Sequence, residues 1–215
     1  MTSMDWVMTR QRLERAVDRT VHEFRDNPWD FLSENDIQSL LFAELRREMR
    51  ELRNSYQSSC RKDRHLGAFS DINPVKTEYQ LVPDGKGMTC DIAVLCHKQD
   101  QSSNLWRQPC RVAIEIKFWQ AAEGGVWSDL LRDIEKLQLY WAKRNPSGQP
   151  FTGIAMLFVH PGAKPCADMS QIRDIERGSD FPESGVAIHV VNKGGHRWST
   201  TPASVQLAAT APGSN

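Results

Sequence analysis

The nine residues Arg111 to Trp119, RVAIEIKFW, set one carboxylate and one ammonium inside an otherwise apolar run. Successive side chains of a strand alternate between its faces, so Glu115 and Lys117 point one way while Val112, Ile114, Ile116 and Phe118 point the other. A buried carboxylate beside a buried ammonium is costly unless the two are paired, hydrated or coordinated to a metal, and a functional site is one reason to retain them. Upstream, the run CDIAVLCH (90–97) carries Asp91 at its head, with Asp91, Ala93 and Leu95 sharing a face. If these two strands pair, the carboxylates of Asp91 and Glu115 converge. Converging carboxylates repel and raise each other's proton affinity unless a cation sits between them. Hard oxygen ligands suit Mg²⁺ or Mn²⁺ rather than zinc. Such an ion polarises a phosphoryl oxygen and lowers the pKa of a bound water. Lys117 faces the same spot, where a mobile point charge can orient that water or stabilise the transition state.

An Asp at the head of an apolar strand, followed by E-x-K on the next, resembles the PD-(D/E)xK nuclease superfamily, whose fold is restriction-endonuclease-like. The matching stretches are TCDIAVL and VAIEIKFW, and the one departure is Cys90 where that motif has proline. The resemblance implies that Asp91 and Glu115 hold Mg²⁺ or Mn²⁺, with Ile116 between the motif residues completing the metal set, and that Lys117 is the catalytic lysine. It implies a metal-dependent nuclease that hydrolyses phosphodiester bonds in DNA, in defence, mobile-element or repair biology. Members often carry a further acid on the helix before the sheet. Glu34 is the first candidate here, Glu44 competes with it, and Asp36 reads as a capping residue. The segment DIEKLQLY (133–140) resembles a later helix that offers a side chain to the scissile phosphate, which makes Lys136 or Gln138 a candidate. Asp133, Lys136 and Tyr140 share one face of it, although a solvated helix face would account for the same residues. The rival classes are a nuclease-like module that binds nucleic acid or protein without turnover, and an enzyme acting on a small phosphorylated nucleotide.

The elements that must position these groups follow from periodicity. Residues 4–26 place Val7, Leu13, Val17, Val21 and Phe24 at near-helical spacing, which predicts an amphipathic helix packed on the domain. A second helix is expected over SENDIQSLLFAELRREMRELR (33–53), with a capping-box arrangement of Ser33 and Asp36 at its start and Ile37, Leu40, Leu41 and Leu45 on one face. Residues 54–73 read as polar and irregular. Strands are expected at 75–82, 90–97, 111–119, 151–160 and 185–193, with a hairpin turn at PDGKG (83–87). A helix over 128–144, with Leu130, Ile134, Leu137 and Trp141 in phase, crosses between the third and fourth strands, and a short helix is expected at 167–177. A parallel connection needs such a crossover. The expected fold is therefore α/β: a mixed central sheet flanked by helices, with an α-β-β-β-α-β core and an N-terminal helical extension. Its divisions are 1–30 for the extension, 31–200 for the domain, and 201–215 for a disordered tail.

The chain has 215 residues, with 27 Lys and Arg against 27 Asp and Glu, so no global field draws in a polyanion and any nucleic-acid contact must be local. The best local patch is Arg46, Arg47, Arg50, Arg53, Arg61 and Lys62, partly offset by Glu48, Glu51 and Asp63. Trp106 and Trp127 flank the E-x-K strand and could stack on bases, though packing explains them as simply. The five cysteines contain no C-x-x-C pair, so reduced thiols are expected, and Cys96 beside His97 reads as core filling rather than half of a zinc site. His65, His160, His189 and His196 show no arrangement of a catalytic pair. Asp5, Arg10 and Arg12 stand where a signal peptide would need an apolar stretch, and the longest apolar run is too short to span a bilayer. The expectation is a cytoplasmic protein with DNA as partner and no membrane, and with a homodimer left open.

Overall fold

A computed structural model describes residues 3–52, 54–57, 68–81, 88–96, 110–120, 125–144, 151–163, 185–193 and 195–201. Helix α1 (Ser3–Asp26) and helix α2 (Glu34–Glu48) are joined through a 3-10 turn at Pro28–Asp30. Strands β1 (Asn54–Gln57) and β2 (Ala68–Ile72) follow, then β3 (Val75–Gln80), β4 (Thr89–Leu95), β5 (Cys110–Trp119), helix α3 (Val126–Arg144), β6 (Thr152–Val159), β7 (Gly185–Asn192) and β8 (Gly195–Thr201). The last six strands form one sheet in sequence order, while β1 and β2 pair separately. β3, β4 and β5 are antiparallel neighbours, β5, β6 and β7 run parallel, and β8 returns antiparallel. The fold is thus α/β with a mixed central sheet flanked by helices.

The layering follows from which runs are apolar on both sides. Every described side chain of β6 is buried, and so are all but the last of β7, as expected of parallel strands covered on two faces. One face carries Ile92, Val94, Ile114, Ile116, Ile154, Met156 and Phe158 against α1 and α2. The other carries Ala93, Ala113, Trp119, Ala155, Leu157 and Val190 against Leu130, Ile134, Leu137 and Tyr140 of α3. Close approach of α3 depends on Gly153. A Cβ there would lie 3.1 Å from the Leu137 Cβ and 3.2 Å from a Val186 methyl.

The capping box at the start of α2 is present, with the Asp36 carboxylate accepting from the Ser33 main-chain N–H at 2.8 Å and the Leu32 N–H at 2.9 Å. α1 is clamped to α2 through Arg15 on Glu48 at 2.7 Å and Arg19 on Glu44 at 2.5 Å, with Arg19 also on Glu48.

Several expectations need correction. Val7 is 48% exposed, and Trp6 is the residue that turns inward, its ring under the Arg111 guanidinium at 3.9 Å. Residues 54–73, expected to be irregular, contain the β1–β2 pair, and β8 forms the far edge of the sheet where no strand was expected. α2 ends at Glu48, which leaves Arg50 beyond the helix. The turn at 83–87, the helix at 167–177 and the tail beyond Thr201 lie outside the described residues.

Candidate active site

The site forms where the β4–β5 ladder opens. Pairing runs from Val94 opposite Val112 to Ile92 opposite Ile114 and stops there, although β5 continues beside β6 as far as Trp119 opposite Val159. Carried one step further, that register sets Asp91 opposite Glu115, on the same face of the sheet. In place of the next ladder bond, the Ile116 N–H donates to the Asp91 Oδ2 at 2.6 Å. The ladder on the other side of Asp91 is broken too. Thr77 pairs with Ile92 and Tyr79 with Cys90, but Glu78, between them, stands at φ +48°. A side-chain-bearing residue in the left-handed region marks strain that the surroundings must hold. Gln38 of α2 bridges this break, donating at 3.0 Å both to the Glu78 Oε1 and to the Asp91 carbonyl.

Around this opening four carboxylates meet two ammonium groups. The Lys117 Nζ lies 2.9 Å from the Asp133 Oδ2 and 3.5 Å from the Glu34 Oε1, and it donates to the Ile116 carbonyl at 3.1 Å. The Lys136 Nζ lies 2.7 Å from the Glu115 Oε1 and 3.0 Å from the Asp133 Oδ1. Lys136 is thus the counterion of the buried Glu115 carboxyl.

Electrostatics follow from burial. Glu115 is 2% exposed. Desolvation, then repulsion from Asp91, pushes its carboxyl up to about 8 against the pull of Lys136. Burial likewise raises Asp91, offset by its bond from the Ile116 N–H, and raises Glu34 against the pull of Lys117. Both lysines are raised despite their own burial: Lys117 by Asp133, Glu34 and Asp91, and Lys136 by Glu115 and Asp133. With Glu34, Asp91, Glu115 and Asp133 ionised, four negative charges face the two ammonium groups and two are left uncompensated, while Glu78 on β3 adds repulsion at Asp91.

This is the charge that a divalent ion supplies. Among the described residues no group of three His, Cys, Asp or Glu side chains has the spacing of a ready-made metal cage. Asp91, Glu115 and the Ile116 carbonyl are a sparser set of two carboxylates and one carbonyl, the hard-oxygen pattern that suits Mg²⁺ or Mn²⁺ with its waters. The burial of Glu115 and its repulsion by Asp91, which Lys136 offsets only in part, fit such an ion.

Of the sequence candidates, Asp91, Glu115, Lys117, Glu34 and Lys136 come together. Glu44 does not, being engaged by Arg19 and Arg47. Asp133, which shares the face of Lys136 on α3, touches both lysines. Gln38 and Glu78 were not singled out for the site at all.

The basic patch stands apart. Arg46 follows Glu34 by twelve residues of helix, a rise of about 18 Å. Arg47 is paired with Glu44 at 2.6 Å, and Arg46 stacks over Phe42. Arg53, Arg61, Lys62, Trp106 and His97 lie outside the described residues. Trp127 is buried in the first turn of α3, so it offers no free face to a base. Cys90, Cys96 and Cys110 are buried and form no disulfide, and burial pushes the Cys96 thiol up to about 12. No helix among the described residues is long and apolar enough to cross a membrane. Comparison with protein-family models, with curated proteins and with solved structures returns no match.

Proposed function

We propose that the chain is a metal-dependent nuclease of the restriction-endonuclease-like kind, hydrolysing phosphodiester bonds in DNA. The observation that carries this reading is the meeting of Asp91, Glu115 and Lys117 on one face where the β4–β5 ladder opens. The order α2, β3–β4–β5, α3, β6 supports it as the core that the sequence resemblance implies.

In this reading Asp91, Glu115 and the Ile116 carbonyl hold Mg²⁺ or Mn²⁺. When bound, the ion polarises a phosphoryl oxygen and supplies a water acidic enough to attack near neutral pH. The chain's own groups do the rest. The bond from the Ile116 N–H fixes the Asp91 carboxylate, and Asp133 and Glu34 keep Lys117 charged at the opening, where it can stabilise charge developing on the phosphate. Lys136 offers a second ammonium to the same phosphate. Arg46 and Arg47, about 18 Å away along α2, correspond to roughly five base pairs of duplex at about 3.4 Å per step, and contribute backbone contacts at that distance.

The test is plasmid nicking with Mg²⁺ or Mn²⁺ by the wild type and by Asp91→Ala, Glu115→Ala and Lys117→Ala. Each substitution is expected to lower the rate by about a thousandfold or more, the scale on which charge-stabilising groups act, while the protein still unfolds cooperatively. Full activity in Glu115→Ala would falsify the mechanism. One observation favours a second reading, a binding module without turnover: Lys136 already lies against Glu115 and gives it a counterion. Such a module would keep its DNA affinity without Mg²⁺ and nick nothing with it.

A further inference from the structure

The donor atoms proposed for the metal are already in contact with cations of the chain itself. The Lys136 Nζ is 2.7 Å from the Glu115 Oε1, and the Lys117 Nζ donates to the Ile116 carbonyl at 3.1 Å. Both ammonium groups also touch one further carboxylate, Lys117 at the Asp133 Oδ2 and Lys136 at the Asp133 Oδ1. Asp133 reaches the site from α3 and has no place in the proposed metal set, so these contacts survive a change of partner at Glu115 and Ile116. We propose that Lys136 and Lys117 are the resident cations of the metal site, displaced from Glu115 and the Ile116 carbonyl when a divalent ion binds, with Asp133 as the positioning residue that keeps both beside it.

This inference rests on the proposed metal site and concerns how that site is regulated. Once ionised, a carboxylate deep in the fold needs a counterion whenever the metal is absent, and Lys136 is the cation in contact with Glu115. An ammonium on a flexible stem serves, because it can turn away without moving the backbone. The exchange has an energetic consequence. The ion must compete with a positive charge at contact distance and remains close to it after binding, so the lysines weaken metal affinity even while they serve the phosphate.

The sign of that effect distinguishes displacement from an ordinary supporting role. A lysine that merely braces the metal ligands would, on removal, leave the ion more loosely held. A resident cation would, on removal, leave it more tightly held. The experiment is calorimetric titration of Mg²⁺ into the full chain, without DNA, at about pH 8.5 to limit competition from protons. It compares the wild type with Lys136→Met and with Lys136→Gln, which keeps a polar head for Asp133 if the methionine variant folds poorly. Thermal unfolding without metal confirms that each variant is folded. Mg²⁺ is expected to bind the Lys136 variants about tenfold tighter or more, as removal of one adjacent positive charge requires. Equal or weaker binding in folded variants, beside measurable binding by the wild type, overturns the displacement and leaves the metal site standing. No Mg²⁺ binding by the wild type or by either variant overturns both.

Discussion

Glu115 shows most directly how one residue couples the fold to its chemistry. Its carboxyl is held at about 8 in the fold against an ordinary value of 4.5, with burial as the main cause and Asp91 second. Below pH 4.5 the folded and unfolded chains both hold the proton and the group is neutral to stability. Between there and about 8 the unfolded chain has released a proton that the fold retains, so stability without metal falls as pH rises; above 8 the penalty is constant. Glu34 and Asp91, also raised, act in the same direction. Glu115→Gln is therefore expected to flatten this decline and to melt above the wild type at about pH 8 in chelator, while matching it near pH 4. Melting temperature against pH measures it, and parallel profiles for the two proteins would contradict the assignment. The acid and the lysine were legible in RVAIEIKFW because strand alternation sends Glu115 and Lys117 to one face whatever the tertiary setting. Asp133 was not, since an Asp and a Lys three apart on an amphipathic helix look alike in sequence whether they face a site or water. Glu78 and Gln38 left no signal, because the break at Glu78 exists only where β3 pairs with β4, and Gln38 meets it from α2.

At the scale of elements, the strands and helices with strong periodicity were readable, and those stabilised by a neighbour were not. β6 and β7 announce themselves as apolar runs, whereas NSYQ, AFSDI and GHRWSTT carry little alternation; β8 pairs along β7 from Gly195 opposite Asn192 to Thr201 opposite Val186. The site depends on how closely two readable elements meet. Lys136 and Asp133 ride on α3, and α3 touches β6 at Gly153, where an added Cβ would come within 3.1 Å of the Leu137 Cβ. Neither atom is the end of a flexible side chain, so strand and helix must give by a few tenths of an ångström. Gly153→Ala is expected to cost about 1–3 kcal/mol, the range for overpacking a tight core, and to lower nicking further than Mg²⁺ binding. Both lysine–Asp133 contacts move with the helix, whereas the proposed metal set lies on β4 and β5. Urea unfolding beside the nicking rate tests this. Unchanged values of both would mean that α3 has slack the packing does not show.

For the whole molecule, the question is whether the N-terminal helix is an appendage or a wall of the site. Trp6, Leu13, Ala16, Val17, Val21 and Phe24 belong to the same buried cluster as Ile114 and Ile116, the residues that alternate with Glu115 and Lys117 on β5. Phe24 is fully buried, with ring centroids 5.4 Å from Phe31, 5.1 Å from Phe158 and 6.2 Å from Phe118, the residue after Lys117. The Arg15 and Arg19 ion pairs are part-exposed and contribute about 1 kcal/mol or less each, so the apolar contact is what fixes α1. Phe24→Ala removes an aromatic from three neighbours at once and is expected to cost about 3–5 kcal/mol. It should also lower the nicking rate without touching a charged group, because loss of packing behind Phe118 loosens the strand that aims Lys117. Denaturant unfolding should show one transition moved to lower denaturant with its slope intact. If α1 were an appendage, an early transition for the helix would separate from an unshifted main one. The cluster makes that outcome incompatible with α1 as a structural part of the site, since β5 carries the helix's apolar seat on one face and the two charges on the other.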